Sequence, residues 1–112
     1  MSKRKLDTLP VVIRFEGKGK ATRKDWRLSE IVAIFPSEPG TYAVNTMTCY
    51  SPVGGHGSCA SNYASRTKPA TRQQVRAMLA ELRRIGYKRV RVISRATPSH
   101  WEMRRKALEK TA

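Results

Sequence analysis

Arg72, Arg76 and Arg83 are spaced i, i+4 and i+11, which on a helix draws them into one narrow stripe beside Leu79. Arg89, Arg91 and Arg95 alternate with Val90 and Val92, as residues on one face of a strand would, and Tyr87 shares their parity. Farther on, Trp101, Arg104, Arg105 and Leu108 fall on one side of a second helical stretch, with Lys106 turned elsewhere. A guanidinium presents a planar fork of donors that meets phosphate oxygens or a guanine edge in pairs. Three consecutive elements that each carry arginine in a row therefore point to nucleic acid, with Trp101 able to stack on or wedge between bases. The plain alternative, for any single arginine, is a solvated surface charge.

The charge of the whole chain fits the first reading. Lys and Arg number 23 against 8 Asp and Glu, a formal net charge of +15 in 112 residues. Residues 1–28 hold nine basic and three acidic side chains, net +6, and residues 66–112 hold fourteen and three, net +11. Between them, residues 29–65 contain no Lys or Arg and only Glu30 and Glu38, net −2. Such an excess of like charge repels itself unless a polyanion is near. Lys18, Lys20, Arg23 and Lys24 add a Gly- and Lys-rich stretch after the first strand. It superficially resembles the phosphate-contacting stretch of double-stranded-RNA-binding domains. In that family the stretch follows three strands and opens the last helix, whereas here it follows one, so the fold match is rejected and a basic loop touching phosphates remains.

The charge-poor centre holds both thiols. Cys49, His56 and Cys59 have the spacing C-x6-H-x2-C, and His100 is a conceivable fourth ligand. Zinc usually takes two tight pairs of ligands, and here only His56 and Cys59 are close in sequence. A Cys49–Cys59 disulfide and a His56/Cys59 nucleophile pair are the other reactive options. The plainer expectation is a small buried strand residue at Cys49 and a loop thiol at Cys59. The glycine-rich run at 54–58 lacks the lysine and the following helix of a phosphate-binding loop. The eight acids are scattered, so no carboxylate cluster offers to hold catalytic metal ions. The sequence thus leads to a non-enzymatic protein with no cofactor and no bound metal.

Those residues need elements to position them. Residues 1–9 read as a disordered basic arm and 10–112 as one domain. Leu9–Phe15 alternates as a strand, with Val11, Ile13 and Phe15 on one face. The run Ile31–Phe35 is apolar without alternation, which suits a central strand covered on both sides, or a strand plus a helix packed above it. Ser37-Glu38-Pro39-Gly40 makes a turn, and Thr41–Tyr50 returns as a hairpin partner. Ser51–Lys68 is expected to be a long loop. Thr71 and Gln74 have capping-box spacing, Gly86 stands ready to end the helix, and Val75, Met78, Leu79, Leu82 and Ile85 form its apolar stripe. Tyr87–Arg95 is expected as a strand with Val90 and Val92 facing the core. Ser99 and Glu102 suggest a second cap, for a helix from His100 to Lys110. The order β-β-β-α-β-α implies an α+β fold, a small mostly antiparallel sheet with two helices packed on one face.

The segment Thr67–Thr71 through Glu81–Tyr87, with Ile34-Phe35-Pro36 and His56-Gly57, looks like part of small basic proteins carried by phages and plasmids. That resemblance implies a mobile-element setting and no particular activity. It adds an alternative to nucleic-acid binding: a module that inhibits or modulates a host defence or nucleic-acid-processing protein through the 41–65 hairpin and loop. No stretch approaches the roughly 18 apolar residues of a membrane span, and Met1–Leu6 is basic with no apolar run behind it, so cytoplasmic residence and no membrane partner are expected. All of these expectations assume that the arginine rows of the C-terminal half converge into one surface.

Overall fold

The computed structural model describes residues 8–16, 30–52 and 55–111. The arm at residues 1–7 and the loop carrying Lys18, Lys20, Arg23 and Lys24 lie outside the described residues. The chain runs β1 (Leu9–Phe15), β2 (Ile31–Phe35), β3 (Thr46–Ser51), β4 (Gly55–Ala60), a short 3₁₀ turn (Tyr63–Arg66), β5 (Lys68–Pro69), α1 (Arg72–Arg84), β6 (Val90–Val92) and α2 (Pro98–Thr111). It is an α+β fold with the expected alternation of strand and helix. The sheet order is β4-β3-β2-β1-β5, antiparallel throughout, while β6 pairs with β1 in parallel.

β2 lies at the centre, and its lack of alternation follows from burial on both sides. Ile31, Ala33 and Phe35 join Val11, Ile13, Tyr50, Met78 and Leu82 on one face. Val32 and Ile34 join Val12 and Met47 on the other, with Cys49, Cys59 and Ile93 packed around them. Burying each large aliphatic chain contributes roughly 1.5–3 kcal/mol.

α1 is defined at both ends by its own residues. Thr71 Oγ1 accepts from the Gln74 N–H at 3.2 Å, and Gln74 Oε1 accepts from the Thr71 N–H at 2.8 Å. At the far end Gly86 takes φ +120°, its N–H donating to Arg83 O and the Tyr87 N–H to Leu82 O. That pair of bonds is a Schellman stop, and the positive φ is why glycine stands there.

Several expected boundaries move. Residues 55–60 are a strand, not loop: β4 pairs with β3 over six consecutive positions from Thr46↔Ala60 to Ser51↔Gly55. It is an edge strand with little to bury, so its sequence shows no apolar alternation. β3 begins at Thr46, because Thr41–Asn45 form a turn tied by Thr46 Oγ1 to Ala43 O. Only Val90–Val92 of the expected strand 87–95 is extended, and Val92 is 42% exposed, not core. Tyr87 leaves the arginine side and stacks on Phe35, with ring centroids 4.9 Å apart.

α2 starts earlier than expected, at Pro98, which has no N–H to leave unpaired at a helix start. Its first turn is closed by Thr97 and His100, not Ser99 and Glu102: the Thr97 N–H donates to His100 Nδ1 at 2.9 Å, and the His100 N–H to Thr97 O. No α2 residue belongs to either apolar cluster. Two hydrogen bonds from Arg104 tie the helix to the turn between β2 and β3. Among the described residues no helix is long and apolar enough to cross a membrane.

Candidate nucleic-acid interface

β5 and β6 both pair with β1, end to end along its outer edge. Arg14 on β1 falls between Ile13 and Phe15, so its side chain emerges on the face of Val12. There it is pinned to the turn before β5, Nε to Thr67 Oγ1 at 2.9 Å and Nη2 to Thr67 O at 2.7 Å. The Ile93 N–H bonds Val11 O, extending the β6 pairing before the chain turns away through Ser94–Ala96. A groove of about 240 Å³ opens here, lined by Arg14, Ser61, Asn62, Ser65, Ser94 and Arg95. A second of about 370 Å³ is lined by Arg91, Ser94, Arg95, Thr97, Ser99 and His100. Ser94 and Arg95 border both, so the two grooves, together the channel, adjoin at that segment. No carboxylate lines either part, while Glu38 lines a third cavity that shares Arg91, His100 and Met103 with the second.

Arg91 and Arg95 are exposed, and neither has an ion-pair partner among the described residues. At the channel floor His100 is 5% exposed. Burial, helped by the nearby Arg104 and Arg91 charges, lowers its pKa, and its Nδ1 already accepts from Thr97. The imidazole is therefore neutral near pH 7, with Nδ1 unprotonated.

The arginines of α1 lie elsewhere. Arg72, Arg76 and Arg83 are exposed and unpaired among the described residues, and a cavity of about 380 Å³ sits at the first turn beside Thr71, Arg72, Gln73 and Arg76. α1 covers the sheet face of Val11 and Ile13, whereas Arg14 brings the channel onto the face of Val12. The rows thus stand on opposite sides of the sheet and do not converge, contrary to the sequence expectation. Strand alternation at β1 forces the separation.

α2 divides its own pair. Arg104 is 3% exposed and donates Nε to Val44 O at 2.7 Å and Nη1 to Pro36 O at 2.6 Å. It is a structural bolt, unable to reach a phosphate. Arg105 is held by Glu102 at 2.9 Å and by Glu109 on its own helix. Arg84 is likewise met by Glu81, which also accepts from Tyr50 Oη at 2.6 Å. Arg89 is exposed, its carbonyl accepting from Leu9 N–H. Trp101 is 41% exposed on the first turns of α2. Arg14, Asn62 and Ser94 were not singled out by sequence. An arginine at one position of an otherwise apolar strand was the signal for the first.

The thiols and imidazoles are also sorted by alternation. Cys49 and Cys59 are free and lie diagonally across the β3–β4 pair, Cys59 opposite Met47 and Cys49 opposite Gly57. Burial raises both thiols, Cys59 to about 12, which leaves them protonated and unreactive. His56 pairs with Tyr50 on the opposite face, 2.8 Å from Tyr87 Oη. Among the described residues no three His, Cys, Asp or Glu side chains meet as a metal-binding group. No family model matches the chain, and neither a curated protein nor a solved structure gives a match.

Proposed function

We propose that the protein binds nucleic acid without acting on it chemically, with backbone phosphates following the channel past Arg91, Arg95 and Arg14. The observation that carries this reading is the lining of the two grooves: arginines among serine, threonine, asparagine and a few apolar side chains, with no carboxylate in either. Those are the partners phosphate oxygens take, and they position a backbone without reading bases. Glu81, Glu102 and Glu109 are engaged elsewhere, on Arg84 and Arg105. The α1 row of Arg72, Arg76 and Arg83 forms a second basic surface, facing away from the first, that would meet a separate segment of polyanion. Trp101 adds a ring for stacking.

A salt-titrated anisotropy assay on duplex DNA, single strands and structured RNA tests the reading. Each lost phosphate contact lowers the log–log salt slope by about 0.7–0.9. R91E/R95E should therefore flatten the slope by roughly two contacts' worth, with R72E/R76E giving a separate, smaller loss. Affinity unmoved by salt, or by both double variants, would rule it out.

A further inference from the structure

The two edges of the sheet are built differently. On the β1 side, β5 is two residues long and consists of Lys68 and Pro69, and the three residues of β6 include Arg91. Short length, proline and cations are the devices that keep an edge from pairing with another chain. β4, at the other edge, has none of them. Its six residues, Gly-His-Gly-Ser-Cys-Ala, carry no Lys, Arg or Pro and pair with β3 without a bulge. No backbone bond beyond those to β3 joins Gly55–Ala60 to the other described residues. In a chain with 23 basic residues, a cation-free edge flanked by the wholly cation-free stretch 29–65 is conspicuous.

A bare aromatic belongs to the turn that touches β4. The turn after β2 presses on β4 so closely that a Cβ at Gly40 would lie 2.4 Å from Ser58 Cβ. Two residues beyond that contact, Tyr42 is 93% exposed, the most exposed large hydrophobic among the described residues. Tyrosine left bare beside an open edge is the kind of anchor that protein interfaces bury.

We infer that β4 is a homodimerisation edge, along which two copies of this chain pair antiparallel and continue the sheet, with Tyr42 of each packing at the junction. Charge selects the occupant. β4 itself offers nucleic acid no cation, Arg66 lying beyond it at a cavity shared with Ser58, Cys59 and Ala60. Two copies at +15 repel each other over most approaches, but can meet along the one stretch with net −2. Antiparallel pairing of a strand with itself closes on a two-fold axis, so it stops at the dimer. The two channels then face outward at a fixed spacing. A six-residue edge and one aromatic bury less than the ~1,200 Å² of a stable interface, so the dimer forms and dissociates with concentration.

Sedimentation of the full-length protein, freed of nucleic acid, tests this over a concentration series at low and high salt. Self-association should strengthen as salt rises, opposite in sign to nucleic-acid binding, so the two readings fail separately. At Gly57 a Cβ meets nothing within 4 Å and φ is not positive, so substitution is tolerated by the fold. Gly57→Lys should weaken the dimer about tenfold or more, the order expected of two like charges brought within several ångströms, while Gly57→Thr should retain it. Tyr42→Ala should also weaken it, with circular dichroism unchanged in all three. A wild-type chain monomeric at every concentration in high salt would overturn the inference. So would association indifferent to Gly57→Lys and Tyr42→Ala, or an edge that takes only an unrelated extended peptide.

Discussion

Replacing Arg104 with alanine takes away the two bonds that join α2 to the rest of the fold across 60 and 68 residues of sequence. Pro36 O lies in a fully buried residue and has no water to replace the guanidinium, whereas Val44 is half-buried and can recover part of its loss. A hydrogen bond from a charged donor contributes about 1.5–3 kcal/mol, and an orphaned buried carbonyl costs a similar amount. Allowing for solvent at Val44, the variant should lose about 3 kcal/mol, a large part of the 5–15 kcal/mol that typical domains possess. For a chain of this size that corresponds to a fall in Tm of roughly 12 °C. Arg104→Lys should fall between, since one ammonium cannot fork to two carbonyls on separate segments. Arg105→Ala is the control. Its partners Glu102 and Glu109 are exposed, and Tm should hardly move. Urea unfolding followed by Trp fluorescence, with m unchanged, gives the measurement. An Arg104→Ala protein melting within 2 °C or so of the parent, or one no less stable than Arg105→Ala, would refute the structural role.

Lowering pH should also loosen α2. His100 has a folded pKa below its unfolded value, so both states are neutral above the unfolded value near 6.5, and the unfolded chain takes up the proton first as pH falls. Stability should therefore drop as pH passes below about 6.5, and unfolding at pH 7.5 and 5 should show a smaller drop in His100→Asn. Thr71→Ala removes an acceptor from the capping box and should cost about 1 kcal/mol by the same urea assay. Gly86→Ala, forced to φ +120°, should cost at least as much. The native thiols should react far more slowly with a disulfide reagent at pH 8 than in urea, since Cys59, pushed up to about 12, holds roughly a thousandth of the thiolate of an unburied thiol. Fast labelling of the folded protein would contradict the burial that raises them.

The amino-acid sequence alone determined α1, β1 and the central place of β2, because each is written in local chemistry: a cap, a stripe and a stop for the helix, alternation or its absence for the strands. It determined as well that the surface is basic and that the basic residues avoid the 29–65 stretch. Tertiary structure decided which arginines are available. Arg104 and Arg105 are neighbours of one type, yet one is bolted to carbonyls of distant turns and the other is held by its own helix, a difference no spacing rule encodes. It also decided that the rows lie on opposite faces, since α1 covers the Val11 and Ile13 side of β1 and leaves Arg14 on the other. β4 was invisible in sequence for a related reason. An edge strand of Gly, Ser, Cys and Ala owes its shape to the backbone of β3, and backbone pairing leaves no pattern in side chains that bury almost nothing.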